Sequence, residues 1–167
     1  MSETDPLIIV DRLLVRGVRL VVIGGHAVNF YGYIRATEDV DIVFERTNET
    51  EQILFEELSK IDAYWITNDI DPQTGIESPS PVTLEYIRRM NMMMLGTNQG
   101  WIDLFDFIPG LPDEPVSELL DLAIESKGRP YASLQWLRRM KQAAGRPQDL
   151  VDLENLPLGE TKPDDDE

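Results

Sequence analysis

The stretch VVIGGHAVNFYGYIRATEDVDIV, residues 21–43, decides how this chain folds. Residues 20 to 23 are an apolar run of strand type that stops at Gly24 and Gly25, after which Ala27, Val28 and Tyr31 recur at helical spacing. That order predicts a strand, a tight turn and a helix. Glycine removes the side chain that would hold a ligand away from the backbone, and a helix start offers unpaired N–H groups with partial positive charge. Gly24 and Gly25 are therefore candidate phosphate contacts. Further on, Val40, Ile42 and Phe44 alternate with Asp39, Asp41 and Val43. This is strand periodicity, and it puts the carboxylates of Asp39 and Asp41 on one face. Like charges so close repel each other, and a shared cation removes the repulsion. Mg2+ suits the place, since it prefers oxygen ligands completed by water and substrate phosphates.

The combination resembles the nucleotidyltransferases of the DNA polymerase β superfamily, whose pattern is a hydrophobic residue, Gly-Gly or Gly-Ser, a spacer, and two acids flanking one apolar residue. Ile23, Gly24 and Gly25 supply the first part, residues 26–38 the spacer, and Asp39, Val40 and Asp41 the last. A second stretch, LQWLRRMKQAAGRPQDLVDLENL (residues 134–156), is similar to the Lys, Gly-Arg and Asp-Leu segment of minimal bacterial members. Residues 60–90 match only weakly.

The resemblance implies an α/β nucleotidyltransferase fold, a small mixed sheet backed by helices with further helices at the C-terminal end. It implies a reaction in which an NMP passes from an NTP to an acceptor hydroxyl, with two Mg2+ ions held by Asp39, Asp41 and a third acid on a neighbouring strand. Trp101-Ile102-Asp103-Leu104-Phe105 offers Asp103 for that place, and as third ligand it could also take the proton from the attacking hydroxyl. Asp106 competes with it. Their odd separation puts the two on opposite faces of a strand, so only one points inward.

Arg35 and Thr37 lie just upstream of the acidic strand, where a guanidinium can bind a phosphate through two hydrogen bonds. The plainer reading of Arg35, a surface arginine, stands beside this one. Lys141 and Arg146 are similar to the basic positions of the second stretch, and Lys141 is taken as a nucleotide contact. A solvated helix face is the plainer reading of Arg138, Arg139, Lys141 and Arg146, while Asp149 and Asp152 read as structural, His26 as a packing or capping residue, and Met90, Met92, Met93 and Met94 as core or strand filling.

The acceptor stays open between a small-molecule hydroxyl such as an antibiotic, a protein side chain, and an RNA 3′ end of the kind modified by toxins of toxin–antitoxin pairs. An antitoxin partner is compatible with the last. The alternative function is a catalytically silent relative that binds a partner or a nucleotide.

Composition narrows these choices. Lys and Arg total 15 against 31 Asp and Glu, a formal net charge of −16. Long-range electrostatics therefore disfavour nonspecific binding to DNA, although a local pocket can carry the opposite sign. The chain has no cysteine, which removes disulfides and thiolate metal sites, and His26 is its one histidine. No apolar run approaches the roughly 20 residues of a membrane span, and the polar start is not a signal segment, so a cytoplasmic protein is expected.

Along the chain, Asp5 and Pro6 open a helix that ends before Gly17. Strands are expected at residues 18–23 and 39–45, and a capping box of Asn48 and Glu51 opens a helix to about Lys60. Residues 67–81, with Pro72, Gly75, Pro79 and Pro81, read as a long loop bordering the site. Residues 91–95 and 101–108 form a hairpin, Pro115 begins a helix through Glu125, Ser133 caps another that Gly145 stops, and Pro147 starts a last helix. The whole is one domain over residues 1–158, followed by an acidic tail, residues 159–167, too polar to fold on a core.

Overall fold

The computed structural model describes residues 5–158; the acidic tail expected at residues 159–167 lies outside the described residues. The chain forms a mixed eight-stranded sheet with seven helices among the described residues. Helix α1 (Leu7–Val15) leads into β1 (Leu20–Ile23), α2 (Gly24–Phe30), β2 (Asp39–Phe44) and α3 (Asn48–Lys60). A hairpin of β3 (Tyr64–Ile70) and β4 (Glu77–Pro81) follows, then α4 (Leu84–Arg89) and a second hairpin of β5 (Met92–Thr97) and β6 (Gly100–Phe105). The chain continues through α5 (Val116–Asp121), β7 (Ile124–Ser126), β8 (Arg129–Tyr131), α6 (Leu134–Ala144) and α7 (Pro147–Asn155). The sheet order is β4-β3-β5-β6-β2-β1-β8-β7, which puts the acidic strand β2 near the middle.

Strand alternation divides the sheet into two faces. Val40, Ile42, Ile102, Leu104, Met93 and Leu95 point to one side, fully buried in a single apolar cluster with Ile9 and Leu13 of α1, Leu54 and Leu58 of α3, and Ile87 of α4. At roughly 1.5–3 kcal/mol for each large apolar side chain buried, this layer dominates the stability of the fold. The other side carries Asp39 and Asp41. β2 runs parallel to β6, and the register sets Asp39 beside Trp101 and Asp41 beside Asp103. Because partners in register share a face, Asp103 joins the two acids of β2.

Several elements depart from the sequence expectation. The region read as a loop, residues 67–81, is largely the β3–β4 hairpin, with its turn at residues 71–76. Its prolines fit because β4 is an edge strand, where an absent N–H need cost no ladder hydrogen bond. The helix expected from Pro115 through Glu125 stops at Asp121, and residues 124–131 turn back as the short β7–β8 hairpin, with Lys127 and Gly128 both at positive φ in the turn. β8 then joins β1 in parallel through Val22 and Tyr131.

The capping box at Asn48 is replaced by Thr47, whose hydroxyl accepts from the Thr50 N–H, while Glu51 turns to Arg46. Pro6 is the residue before the first helix, and the Leu7 N–H donates to the Asp5 carboxylate. The later boundaries agree with expectation: Ser133 caps α6, Gly145 ends it in the left-handed conformation, and Pro147 opens α7. No described helix is long and apolar enough to cross a membrane.

Candidate active site

Gly24 follows directly on β1 at a φ of +67°, a conformation L side chains rarely adopt. A Cβ built there would meet the Asp41 carboxylate oxygen at 2.0 Å, and one on Gly25 would meet the Thr37 hydroxyl at 2.6 Å. Both glycines thus let the acidic strand and the 35–37 segment close onto the start of α2. The close approach that glycine was expected to give a ligand is given first to the protein's own side chains. Gly24→Ala is accordingly expected to lower the thermal midpoint, through backbone strain of about 1–2 kcal/mol plus displacement of Asp41. Gly32→Ala, also at positive φ (+101°) but with nothing near the added methyl, gives the effect of strain without a clash.

Asp41 and Asp103 are neighbours in register, close enough to hydrogen-bond through a shared proton. Burial, then the charge of Asp103, the hydrogen bond with it and the charge of Asp39 push the Asp41 carboxyl up to about 7. Burial and Asp39 raise Asp103 as well. Among the described residues no group of three His, Cys, Asp or Glu stands ready gathered around a metal ion, and Asp39 is exposed at the start of its strand. The chemistry of the set nonetheless fits a divalent cation. Two carboxylates that resist being charged together are the arrangement an added cation relieves, and Asp39, Asp41 and Asp103 supply only oxygens.

The pH dependence has a definite sign. Asp41 has a higher pKa folded (about 7) than its ordinary value of 3.8, so its contribution is fully present below the unfolded pKa and is lost as pH rises through the folded one. Without divalent cations, Asp41→Asn should raise the melting temperature at pH 8, by a gain of at most about 4 kcal/mol. The advantage should shrink toward zero below pH 4. Melts in chelator across that range check it, and an equal effect at both ends would remove the burial of an Asp41 charge as the cause.

Opposite the acids stand cations that are held rather than free. Lys141 on α6 is 6% exposed and its Nζ donates to Asp152 at 2.8 Å and to Asp149 at 3.4 Å. Arg35 grips the same Asp152 with Nε at 2.9 Å and Nη2 at 3.0 Å, and Arg146 binds Asp149. Burial would raise both aspartates, but these hydrogen bonds outweigh it and hold their carboxyls below the ordinary range. Asp149 and Asp152 are structural, as the sequence suggests. Their partners include two of the expected phosphate contacts, which the sequence does not disclose. Arg35 is not a loose surface arginine.

Every residue singled out from the sequence, namely Gly24, Gly25, Arg35, Thr37, Asp39, Asp41, Asp103 and Lys141, lines one cleft of about 550 Å3. Arg146, matched to the second stretch but not taken as a contact, lines it too, as do Gln148 and Asp149, which were not expected there. For Arg146 the Gly-Arg match was the signal, and nothing in the sequence singled out Gln148 as a cleft residue. Asp106 is drawn off by Arg46 at 2.7 Å and Asn91 at 3.0 Å, away from the cleft. His26 lies outside the lining; its Nε2 is enclosed without a hydrogen-bond partner among the described residues, and burial lowers its pKa. Met93 is core as expected. Met92 and Met94 lie on the strand β5 with substantially exposed side chains, and Met90, just before it, is exposed as well.

No protein-family model matches the chain, and no curated protein matches it. The solved structure of JHP933 from Helicobacter pylori is similar at 15% identity with a TM-score of 0.47, over 89% of this chain and 62% of that one. The chain therefore spans less than two thirds of that protein's length.

Proposed function

We propose that the protein is a nucleotidyltransferase that moves an NMP from an NTP to an acceptor hydroxyl, on a fold of the DNA polymerase β superfamily. The observation that carries this reading is the meeting of Asp41 and Asp103 on paired parallel strands beneath the Gly24–Gly25 turn, with Asp39 on the same face.

In this reading the triphosphate approaches the Gly24–Gly25 turn beside the Asp41 carboxylate and the Thr37 hydroxyl that pack against it, with the Arg35 Nη1 next to Gly25. Asp39, Asp41 and Asp103 would hold two Mg2+ ions, which when bound neutralise charge on the attacking and leaving oxygens of an in-line displacement. Asp103 receives the acceptor proton on a carboxylate oxygen. Lys141, anchored by Asp149 and Asp152, presents a fixed ammonium at the cleft wall at little entropic cost on binding.

A second reading, a catalytically silent protein that binds a partner, is favoured by the exposed apolar side chains of Ile66, Met94 and Trp101 on the outer half of the sheet. Thermal melts with Mg2+ and each NTP separate the readings first. Binding to the folded state must raise the midpoint, and at a hundredfold excess over Kd it adds roughly 2.7 kcal/mol. Incubation with NTPs labelled in the α-phosphate and a cell extract then tests transfer. Nucleotide binding without label on any acceptor supports the silent reading, and neither binding nor transfer sinks the enzymatic one.

A further inference from the structure

The polar cleft does not end at the acids. Beyond Asp41 and Asp103 it opens into a second lobe of about 500 Å3 that shares Gly24, Asp41, Asp103, Lys141, Arg146 and Asp149 with the first. Past those shared residues its lining carries no charge. Met92, Met94 and Phe105 make its floor, Phe107 one wall, and Leu137 and Met140 of α6 the other. The strand register explains the floor: Met94 lies across from Asp103, and Met92 across from Phe105. Met94 is 59% exposed and Met92 39% exposed, on the side of the sheet opposite the core. Phe107 stands edge-on to Phe105 at 5.7 Å between ring centroids, a preferred aromatic contact that keeps the wall in place.

We infer that this lobe is the acceptor subsite, and that the acceptor is a hydroxyl on a small, uncharged, apolar body, not the end of a polynucleotide. The inference rests on the nucleotidyl-transfer reading above and names the substrate class for that same cleft. In-line displacement requires the attacking and leaving oxygens to stand on opposite sides of the α-phosphorus. With pyrophosphate on the Gly24, Gly25 and Arg35 side, the attacking oxygen must come from beyond Asp103, which is the apolar lobe. The acceptor oxygen forms the new bond to the α-phosphorus while the bond to the α–β bridging oxygen breaks. That electron pair leaves with pyrophosphate, and the hydroxyl proton goes to Asp103.

The size and the lining then select the class. A lobe of this volume is in the range that encloses a small molecule, and its apolar walls favour a flat or aliphatic body. Met side chains adapt to such a body and make favourable contacts with aromatic rings. A polynucleotide would need cations beyond the acids for its phosphodiesters, and the lobe offers none there, in a chain of net charge −16.

The test incubates the full chain with Mg2+ and NTPs labelled in the α-phosphate, offering phenethyl alcohol, 4-ethylphenol, or a short RNA with a free 3′ hydroxyl. Label is expected on the apolar hydroxyls and not on the RNA. Met94→Glu and Phe107→Ala should each raise the acceptor KM by about tenfold, the scale of a lost apolar pocket contact, while the melting shift caused by Mg-NTP persists. That shift also reports that the variants fold. Label on the RNA alone, an acceptor KM indifferent to both variants, or Mg-NTP binding with no label on either apolar hydroxyl overturns the assignment of the lobe but leaves nucleotide binding standing. Absence of any Mg-NTP shift in the wild-type chain overturns the underlying reading together with it.

Discussion

Asp41→Asn is expected to reduce nucleotidyl transfer by roughly 10³-fold or more, the size of several kcal/mol of lost transition-state stabilisation. Asp41 is the most enclosed of the three acids. It sits against Gly24, beside Asp103, and on the same face as Asp39. Asparagine keeps the shape and one acceptor oxygen but no longer offers a negative charge at the centre of the cluster. The same substitution should leave the metal-free fold more stable at pH 8, because it removes a charge that burial opposes. Loss of activity with a gain in stability is the signature of a site residue and not of a core residue. Turnover with labelled NTP and melts on the same preparation give both numbers. Wild-type turnover in the folded variant would take Asp41 out of the machinery.

Asp103→Asn and Asp106→Asn, three residues apart, should fail in opposite ways. Asp103 faces Asp41 in the cleft, so its loss should cut transfer by about 10²–10⁴-fold, the range for removing a group that takes the proton. Asp39 and Asp41 remain, and the melting shift with Mg-NTP should largely persist. Asp106 instead holds the Arg46 guanidinium, which also donates to Glu51 and to the carbonyls of Ile87 and Met90. Taking away its charge strips one partner from a partly buried arginine, costing about 1–3 kcal/mol of stability with little change in turnover per folded molecule. If turnover fell with Asp106→Asn and survived Asp103→Asn, the strand β6 would have to present its other face to the cleft.

The residues that met in the cleft were legible because period-2 alternation needs no tertiary knowledge. Asp39 and Asp41 are two apart on one strand, and Asp103 and Asp106 are an odd number apart, so parity alone separated the pair that share a face from the pair that do not. Gly24 and Gly25 were legible as punctuation between an apolar run and a helical one. The β7–β8 hairpin was not. Its strands are three residues long, too short for a period to show, and Pro130 and Gly128 read as loop chemistry. The β3–β4 hairpin was hidden by Pro79 and Pro81, which are strand residues only because β4 lies at the sheet edge. An edge is a property of the assembled sheet.

From the amino-acid order alone came an α/β chain with two acids on one strand face, a glycine turn ahead of them, a third acid on a later strand, and the capped helices at its C-terminal end. Each of these follows from local sterics, periodicity or capping within a few residues. Which groups face which across the cleft was decided only in the folded molecule. Lys141 and Arg35 are 106 positions apart in the chain and meet on the buried Asp152, and the parallel pairing of β2 with β6 sets Asp103 at the side of Asp41. Those contacts depend on strand order and on how α6 and α7 close over the sheet. They arise from packing between distant segments, and no local pattern encodes a partner more than a hundred residues away.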